Sequence, residues 1–364
     1  MFSYPHVWPR QKGSFTVEIG KYIDLYYGVM NRDGASGMRK PLAKSSALVV
    51  ASAFAVLSVC LDVSASDYPS RPIRIVVPTA AGSSPDIMAR LLQPYLERSL
   101  KQPIVVDNRA GASTMVGTDA VAKAAPDGYS LLLVNTTFTV NGALNSKMSF
   151  DAEKDLEPIA LLVKNPLVFA INAKLSARTL AEFVALAKAQ PGKFNYGTSG
   201  ASTQAHLLLE MWSARAGIKM QHIPYRGGAP AALSVATGET QMVLLSPLGI
   251  LNHIEAGTVR AVASGGLTRD PSLPDLPTAA EQGFPGFEAV QWFGLLTTGG
   301  TPKDIVERIN AEVNKALRDP TLIGKLEQQG TTVAGGTPGE FRSLIASEIR
   351  NWKETVQRAN IKAE

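Results

Sequence analysis

The chain has 364 residues, with 36 basic against 31 acidic side chains and a single cysteine. That length suits two domains of ordinary size. Residues 1–65 hold seven of the basic and four of the acidic side chains, so the formal charge of +5 for the whole falls to +2 for the remainder; with no basic run left there, nucleic acid is not an expected partner.

Met38-Arg39-Lys40 opens a short basic region ending at Lys44, Ser45–Leu61 is apolar, and Val63-Ser64-Ala65 offers small residues at a cleavage site. This is the pattern of a secretory signal peptide, and residues 1–37 read as an upstream extension. A retained anchor is the alternative, because the apolar run approaches the ~20 residues that span a bilayer. Cys60 lies in this segment, so cleavage after Ala65 would leave no disulfide or thiol chemistry. Val59 is bulky where a lipoprotein signal wants a small residue.

The stretch Ile73–Leu92 (IRIVVPTAAGSSPDIMARLL) reads as a buried strand, a small-residue loop and a helix start. Ser84 suits an N-cap and Pro85 the first helical position, with a helix to Leu100 bent at Pro94. Free N–H groups and the helix dipole would make the loop an anion site; an ordinary βα turn is the alternative, and the default for this stretch taken alone. A strand Pro103–Val106 follows, then a second small-residue loop (Asn108–Thr114) and a helix to about Ala124. Tyr129–Val134 is a third strand, running out into Asn135-Thr136-Thr137. In an open parallel sheet the loops at the strands' carboxyl ends share one edge.

Ile159–Ile171 is apolar and long enough to cross between domains. Beyond it come a helix (Thr179–Ala189), a strand (Phe194–Tyr196), a third small-residue loop (Gly197–Thr203) and a helix (Gln204–Ala216). Strands follow at Met220–Pro224, Gln241–Leu245 and Val259–Ser264, with Tyr225-Arg226-Gly227-Gly228 opening a helix between the first two. After the Pro/Gly-rich connection Pro271–Phe287, Glu288–Leu296 reads as a return crossing and Pro302–Ile361 as helices. The alternation predicts α/β layers, in two domains: 66–166 with 291–364, and 167–290 inserted between them.

His206, His222 and His253 have no metal-ligand neighbours at a suitable spacing, and no nucleophile elbow, phosphate loop or dinucleotide fingerprint is present. Neither metal nor cofactor is expected. Ser199 or Ser202 with His206 is the best hydrolase pairing, but a Ser or Thr before a helix is ordinarily a cap, so catalysis is not expected. Asp86 favours the helix dipole and stands four residues before Arg90; a structural role is expected, with an amine of a solute as its other partner. Arg109 and Arg226 are each able to pair with an anion, although a surface salt bridge is the default for either. Phe138, Trp212 and Trp292 read equally as core or as stacking partners.

Five segments in order, YPSRPIRIVVPTAAGSSPDIMAR, VVDNRAGA with APDGYSLLL, FNYGTSGASTQAHLLLE, HIPYRGGAPAALSVATGE and LPDLPTAAEQGFPGFEAVQWFGLL, resemble the tripartite tricarboxylate transporter substrate-receptor family, the Bug-type periplasmic solute-binding proteins. The resemblance runs from Tyr68 to the C-terminal helix. It implies a two-domain Venus-flytrap fold of type II-like architecture, with the ligand cleft between the domains. It further implies a monomeric periplasmic receptor that captures a small organic carboxylate for membrane permease subunits. A ligand sensor presenting its closed form to a signalling partner is the alternative. By matching position the first clamp is Thr79, Ala80, Ala81, Gly82, Ser83 and Asp86, and the opposite one Thr198, Ser199, Gly200, Ser202 and Thr203, with Thr136 and Ser246 beside them. Ser83, Ser113-Thr114 and Gln241 depart from the family pattern, adding side chains near the cleft.

Overall fold

The computed structural model describes residues 68–144, 148–270 and 273–359. The signal peptide, the upstream extension and Cys60 lie outside the described residues. Strand β1 (Ile73–Val77) buries Ile73, Ile75, Val76 and Val77 completely, which requires cover on both faces of its sheet. It pairs in parallel with β2 (Ile104–Asn108) on one side and β3 (Ser130–Asn135) on the other. Helix α1 (Ser84–Leu100) connects β1 to β2 and buries Met88, Leu92, Leu96 and Leu100, a spacing of four that lays one face on the sheet. Pro94 is accommodated inside this continuous helix.

A short 3₁₀ turn and α2 (Met115–Ala122) lead back to β3. Thr137 to Leu144 then form α3, where the sequence reading had only a loop; Thr137 to Asn141 are all buried, so the helix shows no amphipathic stripe. The sheet continues antiparallel through β10 (Val290–Thr298) and β4 (Leu156–Pro166) to β11 (Thr332–Val333), in the order β11-β4-β10-β3-β1-β2. Helices α8 (Lys303–Ala316), α9 (Pro320–Glu327) and α10 (Pro338–Ala359) complete this lobe.

The second sheet has the order β7-β6-β8-β5-β9, from β5 (Val168–Asn172), β6 (Asn195–Thr198), β7 (Gln221–Pro224), β8 (Met242–Leu245) and β9 (Val259–Ser264). Its helices are α4 (Leu180–Ala189), α5 (Gln204–Ala216), α6 (Gly228–Thr237) and α7 (Pro247–Glu255). Phe169, Phe183, Tyr196 and Trp212 fill its core, so Trp212 packs rather than stacks on a solute. Phe138 and Trp292 are buried in a core of the first lobe.

The apolar run Ile159–Ile171 is divided between the sheets. β4 ends at Pro166, β5 begins at Val168, and Leu167 alone joins them. Its N–H donates to the Ala289 carbonyl, the Ala289 N–H to Gly265, and the Gly265 N–H back to Leu167, each at 2.7 Å. Only glycine fits at 265, because a Cβ there would stand 2.7 Å from Ala289 and 3.0 Å from the Leu167 carbonyl. Apolar side chains help to interlock the lobes: Leu248 of α7 is buried in the core of the first, and Trp352 of α10 packs on the core of the second.

Candidate functional site

The loop after β1 is shaped by its own backbone bonds. Gly82 takes a left-handed φ of +76°, and its N–H donates to Asp86 at 2.8 Å. Asp86 also accepts from the Arg90 Nε at 3.0 Å. Burial pushes this carboxyl up, but the bonds from Arg90, Gly82 and Asn108 outweigh it and hold it below the usual carboxylate range. Asp86 therefore braces the loop. Ser83 reaches the other lobe, its Oγ accepting from the Ala229 N–H at 3.1 Å. Thr79 is buried, and its Oγ1 has no hydrogen-bond partner.

The loop between β6 and α5 is held from beneath by a stack of rings. His206 and His222 lie 3.8 Å apart at 12°, and Tyr196 covers His222 at 5.0 Å. His222 Nε2 is 2.7 Å from Thr198 Oγ1, and the Ser202 N–H donates to His206 Nδ1 at 3.0 Å. Burial, and then the neighbouring His206, push His222 down to about 4, so this ring is neutral at pH 7. The hydroxyls of Thr198 and Thr203 both turn onto the Gly200 carbonyl at 2.9 Å, and Thr203 caps α5. His206 thus meets the backbone of Ser202, a contact that shapes the loop.

Between the two loops is a chamber of about 30 Å³. Five helices present a cap or first-turn residue to it: α1 through Ser84 and Pro85, α3 through Thr137, α5 through Ala205, α6 through Gly228 and α7 through Ser246. Each brings the partial positive charge of its N-terminus, and no charged side chain among the described residues lines the chamber. Its volume is enough for a water or two, or for one carboxylate head. Thr79, Thr114 and Ser199 also line a second chamber of about 60 Å³ that extends towards Tyr225 and Arg226.

Of the residues predicted from sequence, Thr79, Ser199 and Ser246 line the inner chamber together. Ser246 Oγ also accepts from Asn165 at 2.7 Å. Ala80, Ser83, Asp86, Thr198, Gly200, Ser202 and Thr203 belong to the framework of the loops, while Ala81 and Gly82 are exposed. Thr136 Oγ1 accepts from the Trp292 N–H at 3.1 Å and faces a separate groove. Thr114, Asn135, Thr137 and Gln291 line the chamber and were not among the predicted ligands. The carboxyl-edge position of Asn135 and Thr137 was a usable signal; Gln291, on a returning strand, gave none.

Comparison with known proteins agrees with this architecture. The family model described as tripartite tricarboxylate transporter family receptor matches residues 88–361. Protein BugT of Bordetella pertussis is 37% identical over 310 residues, covering 85% of this chain and 95% of BugT. The solved periplasmic binding protein BugD is 30% identical with a TM-score of 0.79, over 82% of this chain and 100% of BugD. The R. palustris protein Rpa4515, solved with adipate, is 30% identical with a TM-score of 0.78, over 81% and 99% of the two chains.

Proposed function

This chain belongs to the tripartite tricarboxylate transporter receptor family, and on that premise we propose that it is a monomeric periplasmic receptor that closes two domains over a small organic carboxylate. The loaded form then delivers the solute to membrane permease subunits. The observation that carries this reading is the partnerless, buried hydroxyl of Thr79 in a chamber ringed by five helix N-termini. A buried hydroxyl without a partner costs free energy that a bound acceptor would recover. Helix N-termini stabilise an anion without a buried cation, so a carboxylate is the group that satisfies both conditions. The adipate in Rpa4515 supports the same class.

In this reading Thr79, Ser199 and Ser246 touch the carboxylate directly, with Thr114 and Asn135 beside them. The remaining predicted residues act by holding the loops. Closure turns about the passages at Leu167 and Ala289, and export uses the segment ending near Ala65.

Thr79→Val keeps the shape of the side chain and removes its hydroxyl. Calorimetric titration with linear carboxylates should show roughly tenfold weaker binding, the loss of one hydrogen bond to a charged group, while the thermal midpoint of the ligand-free protein should rise because the partnerless hydroxyl is gone. Undiminished affinity in Thr79→Val would remove this hydroxyl from the site. If the unmodified protein bound no carboxylate, the receptor reading itself would fall.

A further inference from the structure

The inner chamber accounts for one anionic group, and the outer chamber is built differently. Among the described residues, Arg226 is the only charged one lining it. Arg226 is exposed, and among the described residues it makes neither an ion pair nor a side-chain hydrogen bond. The neighbouring cations are committed elsewhere: Arg90 to Asp86 at 3.0 Å, and Arg109 to Asp107 at 2.7 Å. Arg226 lies one residue beyond the Tyr225 that follows β7, and precedes Gly227, whose left-handed φ of +130° lets the backbone pass within reach of Ala80 and Ser83. Arg226 therefore stands at the rim where the two lobes meet.

The facing wall is fixed in place. Ala112, Ser113 and Thr114 have φ values of 44°, 50° and 81°, three successive non-glycine residues in the left-handed region. Ser113 Oγ donates across the cleft to the Ala201 carbonyl. Asn141 holds the same turn from behind, donating to the Ser113 carbonyl at 2.7 Å and to Thr114 Oγ1 at 3.2 Å. A strained turn persists only where its surroundings dictate it. Here the bonds keep one wall of the outer chamber opposite the unpaired cation.

Resting on the carboxylate-receptor reading, we propose that Arg226 receives a second carboxylate, so that the solute is a linear dicarboxylate with one head in each chamber. The first head is held by neutral donors and dipoles, the second by a guanidinium suited to bidentate pairing. Arg226 then sets the preference for two charges over one, while the inner chamber sets the requirement for the first.

The test is calorimetric titration of chain-matched pairs, succinate with butyrate, glutarate with pentanoate and adipate with hexanoate, against the unmodified protein, Arg226→Gln and Arg226→Lys. The diacid of the best-bound pair should be preferred by about tenfold at low salt, as for a charge-assisted pair at a half-open rim, and less as ionic strength rises. Arg226→Gln should lower diacid affinity to that of the monoacid and leave the monoacid unchanged; Arg226→Lys should retain part of the preference. A preference that survives in Arg226→Gln overturns the proposal, as does an equal loss for both members of a pair. Binding of neither acid by the unmodified protein would instead overturn the receptor reading on which it stands.

Discussion

Leu248 offers the most direct test of closure. It lies on α7, which follows Ser246 at the chamber, yet it is buried at 5% exposure in the first lobe's core, the same cluster that holds Met88 and Leu92. It does not line either chamber. Leu248→Ala therefore removes a contact between lobes without altering a ligand contact. Burying a leucine side chain is worth about 1.5–3 kcal/mol. If opening returns that side chain to water, the substitution weakens closure by the same amount, and affinity falls roughly 10- to 150-fold. The assay is titration with the best-bound carboxylate, together with the radius of gyration from X-ray scattering, without and with ligand. The ligand-free variant should be more expanded than the unmodified protein and should contract on saturation. Leu322→Ala, a buried core change in α9, is the control: it should lower the thermal midpoint and leave affinity alone. Unchanged affinity and scattering in Leu248→Ala would show that Leu248 stays with the first lobe throughout, and the closure argument would fail.

Two pH experiments follow from buried groups. Thr139 has one hydroxyl proton, and its Oγ1 stands 2.8 Å from both the Thr136 carbonyl and Glu348 Oε2. That proton goes to one of the two acceptors at a time, while Glu348 Oε1 accepts from Trp292 Nε1 at 2.9 Å. Burial raises this carboxyl above the usual range, against the bonds from Thr139 and Trp292. A raised carboxyl binds its proton more tightly folded than unfolded, so its stabilisation is present at acid pH and is lost as pH rises from the ordinary glutamate value through the raised one. Glu348→Gln reproduces the protonated form, and its thermal midpoint should equal or exceed that of the unmodified protein at pH 8; a marked loss there would refute the assignment. His222 works in the opposite sense. Its ordinary value of 6.5 falls to about 4 in the fold, so the unfolded chain takes the proton first and stability declines as pH falls through that window. His222→Gln should flatten the decline between those two values in a midpoint-against-pH series. An unchanged slope would place the acid sensitivity elsewhere.

The strand–loop–helix alternation was legible because β1 and β3 are buried on both faces and their loops are small-residue runs. The helix Thr137–Leu144 was not, because burial all round erases the polar face that marks a period. The crossing within Ile159–Ile171 was legible from its length, but the break between its two strands was not, because strands buried in two different sheets read as one apolar run. At the site, the sequence showed where hydroxyls cluster but not which way they turn. That choice depends on Ser202 at a φ of +56° above His206, and on the Gly200 carbonyl that draws in Thr198 and Thr203. Both depend on the histidine ring stack, which joins residues distant in sequence.

The ring of bonds at Leu167, Ala289 and Gly265 has a mechanical consequence. A single covalent link would let two bodies swivel freely, whereas two chain passages tied to each other through a third segment at Gly265 resist torsion and leave bending as the compliant motion. The lobes are then a flap with one degree of freedom. The contacts of Ser83 with Ala229, Ser113 with Ala201 and Leu248 with the first core are expected to part together, as one event. A partner that touched a single point on the rim would thereby read the state of the whole cleft.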